Sequence, residues 1–273
     1  MLTDPILYES HMHTPLCKHA TGEPEAYAAV AEKRGLKGII VTCHNPINEA
    51  WGAKYRMDVD QFDDYLALVA RARQAWAGRV DVRLGMECDY YPGAELWLAQ
   101  LLDRAEFHHV LGSIHSDLSE YKTLYFNGDP VAFQRTYFDH LAMSAESGLF
   151  DTLSHPDLVK NSHPAEWQPD RIMDDIRRAL DRIAAAGTAM ELNTSGLQKR
   201  VPEMNPGFAI LIEMRQRHIP VVIGADAHKP ERVGENYGQA LDILQEAGYS
   251  HVSIFLNRTR QDIEIEAARA SLK

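Results

Sequence analysis

Short apolar runs alternate along the chain with longer stretches in which apolar residues recur every three or four positions. The short runs fall at residues 6–13, 38–43, 80–88, 109–115, 151–155, 188–193 and 220–225, with an eighth at 251–256. Their length and β-branched content predict strands. Helical periodicity covers 24–34, 59–76, 94–104, 130–147, 169–186, 206–217 and 238–247, and a last helix is predicted over 260–271. Pro24, Pro130, Pro169 and Pro206 stand at helix starts, where proline has no donor to lose. Gly35, Gly148, Gly187 and Gly248 stand at helix ends, where a left-handed cap is cheap. Strand and helix alternating seven times predict a parallel sheet with helices outside it. No linker, repeat or low-complexity stretch divides the 273 residues, so a single domain over 1–273 is expected. The expected class is α/β, as a distorted seven-stranded (β/α)7 barrel; a doubly wound open sheet shares the same periodicity.

Composition narrows the functional classes. Hydrophobic residues make up 45 % and charged residues 25 %, which is ordinary for a globular protein. No apolar run approaches the ~20 residues that cross a bilayer, and residues 1–5 open no basic and apolar leader, so no signal peptide is read. Lys and Arg number 28 against 39 Asp and Glu, a net charge of −11. A field of that sign opposes duplex DNA and anionic membranes, so neither is expected as a partner. Cys17, Cys43 and Cys88 are an odd count with no close pair. They argue against a disulfide framework and for a reducing cytoplasm.

The chemistry lies in the 13 histidines and where they fall. His11 and His13 close the first strand, and a spacing of two on a strand aims both side chains the same way. His19 follows in the next loop. His44 ends the second strand, Glu87 the third, His115 the fourth, His155 the fifth, and Asp226 with His228 the seventh. In a barrel these ends share one rim, where active sites form. A single histidine at a strand end is more often a hydrogen-bonded structural residue. Seven with two carboxylates in one low-dielectric cup demand cations. Imidazole and carboxylate suit Zn, Mn or Fe. Nine donors exceed the four that zinc takes, and serve two or three ions if a carboxylate bridges. Three divalent ions against two carboxylates leave the cup at about +4, a fit for a phosphate dianion and for water made acidic by the ions.

The segments around these residues resemble the polymerase and histidinol phosphatase (PHP) superfamily: His11-x-His13 with His19 six residues on, Thr42-Cys43-His44-Asn45-Pro46, Gly85-Met86-Glu87, Gly112-Ser113-Ile114-His115, Ser154-His155-Pro156 and Gly224-Ala225-Asp226-Ala227-His228. The resemblance spans residues 6 to about 235. It implies a distorted seven-stranded barrel with a trinuclear site. His11, His13, Glu87 and Asp226 would hold one ion. Glu87 would bridge to a second ion on His115 and His155, and a third would sit on His19, His44 and His228. The opening from His11 to Ala20, the run from His155 to Lys160 and the run from Glu191 to Arg200 are similar to the stand-alone histidinol-phosphate phosphatases, which implies hydrolysis of L-histidinol phosphate in histidine biosynthesis. Cys43 departs from the family, which has Asp before the second-strand histidine. That departure removes a carboxylate able to orient an imidazole.

The expected reaction is metal-assisted in-line hydrolysis of a small phosphomonoester. Glu87 is the expected bridging residue, and Asp226 or His228 would assist the leaving group. Lys160 and Arg200 follow the fifth and sixth strands and are the expected phosphate anchors, with Lys122, Lys199 and Lys229 behind them. Asp89, Asp117 and Glu120 are candidates for the ammonium of the leaving group, and Trp51, Tyr55, Tyr90 and Tyr91 for the pocket wall. A nuclease needs a basic groove, which this acidic chain does not show. A degenerate, purely structural barrel would have lost donors, and all nine positions are filled.

Overall fold

The computed structural model describes residues 4–273; residues 1–3, part of the N-terminal stretch read above, lie outside it. Nine strands run β1 (Tyr8–Glu9), β2 (Gly38–Val41), β3 (Asp81–Asp89), β4 (His109–Ser113), β5 (Thr152–Leu153), β6 (Ala189–Asn193), β7 (Val221–Gly224), β8 (His251–Leu256) and β9 (Thr259–Glu264). The helices are α1 (Pro24–Lys33), α2 (Phe62–Ala75), α3 (Glu95–Leu102), α4 (Ser119–Tyr125), α5 (Pro130–Glu146), α6 (Met173–Ala186), α7 (Phe208–Gln216), α8 (Tyr237–Glu246) and α9 (Ile265–Ser271). Strand order in the sheet follows chain order from β1 to β9. A doubly wound sheet would reverse its order at a switch point; this one does not.

Closure is local. Beyond β1 and β7 the chain continues as a parallel bridge between Met12 and Ala227. His13 N donates to Ala227 O at 2.9 Å and Ala227 N to His11 O at 3.0 Å. The first and seventh strands therefore meet at the C-terminal rim, whereas at the base β7 pairs β8 through Val222 and Ser253. Regular pairing of β1 stops at Glu9 because its buried carboxylate accepts from the backbone N–H groups of His11, Ala225 and Gly234 at 3.0, 3.0 and 2.7 Å. A side chain there replaces ladder partners.

The strands are buried on both faces, as parallel strands under helices must be; all four residues of β2 are buried. Tyr8, Ile40 and Ile254 pack together, as do Ala189, Val222 and Phe255, apart from the main helix-covered core. Phe255 stacks on His109 with ring centroids 5.2 Å apart, so β8 stoppers the base of the barrel. Moving toward the rim, the same strands turn polar.

One expectation is corrected. Residues 260–264 are not helical: they form β9, antiparallel to β8. Asn257 and Arg258 both take positive φ, 53° and 58°, and a two-residue turn of that hand matches the twist of a hairpin. The last helix begins at Ile265. In addition, α4 occupies the connection between β4 and α5, where the periodicity signals nothing. Among the described residues, no helix is long and apolar enough to cross a membrane.

The base of the barrel carries a pH term. Burial pushes the His109 imidazole down to about 3, and His11 and Arg258 add to the effect. The folded state then keeps His109 neutral while the unfolded chain protonates it below about pH 6.5, so stability falls as pH drops from 6.5 toward 3. From this group the slope is at most about 1.4 kcal/mol per pH unit. His109→Gln is expected to flatten the loss between pH 6.5 and 4, read by urea unfolding at stepped pH; an unchanged slope contradicts it.

Candidate metal centre

The strand ends bring the expected residues to one place. His11, His13, His44, Glu87, His155 and Asp226 are buried, and His115 and His228 are partly so; only His19 stands exposed. Two of them sit on strained backbone, His155 at φ 29° and Asp226 at φ 49°. Non-glycine residues reach that region only when their surroundings fix them. Gly224, just before, has a reason to be glycine: a Cβ there would lie 2.0 Å from Glu191 Oε1 and 2.7 Å from His11 Cβ.

Glu87 is the hub. Its Oε2 lies 2.7 Å from His44 Nδ1, 3.4 Å from His11 Nε2 and 3.5 Å from His13 Nε2. Its Oε1 lies 3.0 Å from His155 Nε2 and 3.5 Å from His115 Nε2. One oxygen thus faces each set of imidazoles, the arrangement a bridging carboxylate requires. Asp226 Oδ1 joins the first set, 3.1 Å from His13 Nε2 and 3.7 Å from His11 Nε2. Donor atoms within 4.8 Å of one another form the groups His11, His13 and Asp226; His44, Glu87 and His115; His13, His44 and His228; and Cys17, His19 and His228.

Does a cation fit? His11 Nε2, His44 Nδ1 and Glu87 Oε2 are buried and have no hydrogen-bond partner. Three inward-facing polar atoms without partners are costly unless something positive lies between them. The charge balance agrees. Burial opposes protonation of His11, yet Glu191, Glu87 and Asp226 drive its imidazole well above the usual value. His13, also buried, is raised to about 9 by Asp226, Cys17 and Glu87. Without metal, the carboxylates recruit protons. The cluster is a metal-binding His, Asp and Glu site by its donors and its electrostatics.

Outward-facing ring nitrogens are tied down. His11 Nδ1 donates to Glu191 at 2.8 Å, and Glu191 also accepts from His155 N and Asn193 Nδ2, each at 2.9 Å. His115 Nδ1 bonds Asp89 at 2.5 Å. Asp89 is itself held by Arg56 at 2.6 and 2.8 Å. Burial opposes ionisation of Asp89, but Arg56 and His115 hold its carboxyl well below the usual range. Sequence reasoning missed the orienting roles of Glu191 and Arg56; the position of Glu191 inside β6, facing the rim, was the available signal.

A cleft of about 540 Å³ opens over the cluster, lined by His19, His44, His115, His155, Asp226 and His228 and by Tyr55, Arg56, Asp117, Leu118, Leu158, Ser195, Gln198, Lys199 and Arg232. The two expected phosphate anchors are not among these. Lys160 is fully buried, its ammonium 3.1 Å from Asp157, 3.3 Å from Glu203 and 2.9 Å from Met204 O. A lysine so enclosed holds the loop together and cannot reach a ligand. Arg200 is exposed and lies off the cleft. Lys199, the neighbour of Arg200, is the residue that faces in, 3.4 Å from Asp226 Oδ2. Arg232, unnoticed in the sequence, has its Nη2 buried without a partner. Asp117 reaches the cleft, whereas Asp89 is committed to Arg56 and Glu120 lines a separate groove with Trp51 and Tyr91. Of the aromatics, Tyr55 walls the cleft, and Tyr90 is buried on Glu95. His140 bonds Tyr121, and His163 stacks on Phe126 away from the centre.

An α/β barrel with a cation-binding cluster at its C-terminal rim defines a metal-dependent enzyme. The PHP domain family matches residues 9–195, and the chain belongs to that family. A probable histidinol-phosphatase of Deinococcus radiodurans is 37 % identical over 248 residues, covering 89 % of this chain and 94 % of that one. The histidinol-phosphatase of Bacillus subtilis is 24 % identical over 86 % of this chain and 98 % of its own. Among solved structures, the Lactococcus lactis histidinol phosphate phosphatase, in complex with zinc, L-histidinol and phosphate, superposes with a TM-score of 0.78 at 16 % identity, over 93 % of this chain and 98 % of that one. That likeness fixes the fold.

Glu191→Gln keeps the shape of the carboxylate but removes the charge behind His11. It is expected to weaken metal binding about 10- to 100-fold, measured by competition with a chelator. Unchanged affinity would remove Glu191 from the account.

Proposed function

We propose that this protein is a histidinol-phosphate phosphatase, hydrolysing L-histidinol phosphate to L-histidinol and phosphate, and that it works in the cytoplasm. The carrying observation is Glu87, whose two oxygens face separate sets of imidazoles beneath a cleft edged by Lys199, Arg56 and Arg232. The names of its Deinococcus and Bacillus relatives support the substrate. In this reading three divalent ions bind. His11, His13, Glu87 and Asp226 hold the first; Glu87, His115 and His155 the second; His19, His44 and His228 the third. Zinc is the leading candidate over manganese and iron, since zinc accompanies the Lactococcus protein. When bound, such ions supply Lewis acidity toward phosphoryl oxygens and lower the pKa of water to near neutrality.

The chain's own residues do the rest. Glu87 and Asp226 are held ionised against the cost of burial, Glu87 by His44, His11 and His115 and Asp226 by His11 and Lys199. Their role is to hold and space the ions. Lys199 and the unpaired Nη2 of Arg232 neutralise the non-bridging oxygens of the substrate phosphate. Asp117 faces the same space and pairs with the ammonium of the leaving group, while Leu118, Leu158 and Tyr55 flank its imidazole. Asp226 and His228 both line the cleft and are the residues to assist the leaving oxygen, with the Nδ1–H of His228 donated to Asp226 O at 3.0 Å.

Two measurements check this. Comparing kcat/KM for histidinol phosphate, phosphoserine, glycerol phosphate and nucleotides should show histidinol phosphate preferred; equal or better turnover of another member replaces the substrate with that small phosphomonoester. Glu87→Gln should weaken its hold on the ions and reduce kcat by about 100- to 1000-fold, as expected for a lost electrostatic contact in the transition state. Wild-type turnover with full metal content would refute the mechanism.

A further inference from the structure

We infer that Cys17 Sγ is a ligand of the outermost ion, together with His19 and His228, which gives this centre a sulfur donor; the inference rests on the metal-centre reading above. The local fold builds the set. Pro15–Cys17 form a 3-10 turn, and Lys18 follows with φ 69°. That bend lets Cys17 O accept from His19 Nδ1 at 2.7 Å, which turns His19 Nε2 inward. His228 is fixed the same way, its Nδ1 on Asp226 O. Each ring therefore carries its proton on Nδ1 and presents a lone pair at Nε2. The two Nε2 atoms face each other at 2.9 Å. Two acceptors so placed repel unless a cation lies beside both.

Cys17 is fully buried, and its sulfur lies within 4.8 Å of a donor nitrogen on each of these histidines. Tetrahedral zinc, with bonds of about 2.0–2.3 Å, sets its donors about 3.4 Å apart, so modest side-chain movement closes the set. His44 is shared between positions: its Nδ1 lies 2.7 Å from Glu87, and its donors group both with Glu87 and His115 and with His13 and His228, so Cys17 joins it rather than replaces it. The second thiol of the region, Cys43, is engaged by Thr14, whose N and Oγ1 lie 3.4 and 3.2 Å from its sulfur. It groups with His13 and Cys17, not with His19 and His228. A thiolate donor biases the outer position toward zinc, cobalt or iron and away from manganese.

The test uses the full chain, stripped of metal and titrated with Co²⁺ alone. Wild type and Cys43→Ser should develop near-ultraviolet thiolate-to-cobalt charge-transfer absorption. Cys17→Ser should bind cobalt at the remaining positions, with visible d–d bands, and lack that absorption. Cobalt bound by wild type without the charge-transfer band overturns the inference, as does a band that survives Cys17→Ser. If equilibrium dialysis finds no cobalt bound at all, the metal centre itself falls, and this ligand with it. Because Cys17 is buried and its variant can misfold, X-ray absorption on the unmodified zinc-loaded protein gives an independent reading. A sulfur shell at about 2.3 Å supports the inference, and nitrogen and oxygen scatterers alone refute it.

Discussion

The structure turns on a convergence of lone pairs. Inside a buried barrel mouth, Glu87 Oε2 lies 2.7 to 3.5 Å from nitrogens of His11, His13 and His44. Glu87 Oε2, His11 Nε2 and His44 Nδ1 are left without hydrogen-bond partners, and burial removes the water that would serve them. The arrangement is stable only when positive charge enters, as protons on His11 and His13 or as divalent ions. Function and fold are therefore linked: a buried cluster that is costly to fold is the one that binds the cations.

The surrounding architecture exists to hold those groups in place. Glu191 reaches across the barrel to three partners and fixes His11. Asp89 and Arg56, both buried, fix His115 in the same way. Buried ion pairs contribute little net stability, but breaking one by removing a partner costs about 3–5 kcal/mol. Their presence beside the centre is better understood as positioning. The base of the barrel, stoppered by Phe255, does the opposite job: it excludes water from below, so the cluster meets solvent only through the cleft.

Much of this was legible in the sequence. Short apolar strands ending in His, Glu or Asp point to both the barrel and its rim, because strand direction in a parallel sheet sends every C-terminus the same way. Other features depend on contacts between residues far apart in the chain. The burial of Lys160 is set by Glu203 and Met204, more than 40 positions on. The reach of Arg232, the orienting role of Glu191 and the approach of Cys17 to His228 are equally non-local. The β8–β9 hairpin escaped for another reason. Its turn is Asn257-Arg258, without the glycine that usually announces such a turn, and the charged alternation of residues 260–264 resembles a solvated helix face.

The central claim is that the converging donors hold several divalent ions at once, and metal analysis of the purified protein tests it most directly. Elemental quantification after gel filtration in metal-buffered solution should return at least two divalent ions per chain. A chain that turns over substrate at its full rate with fewer than one ion bound would contradict the account.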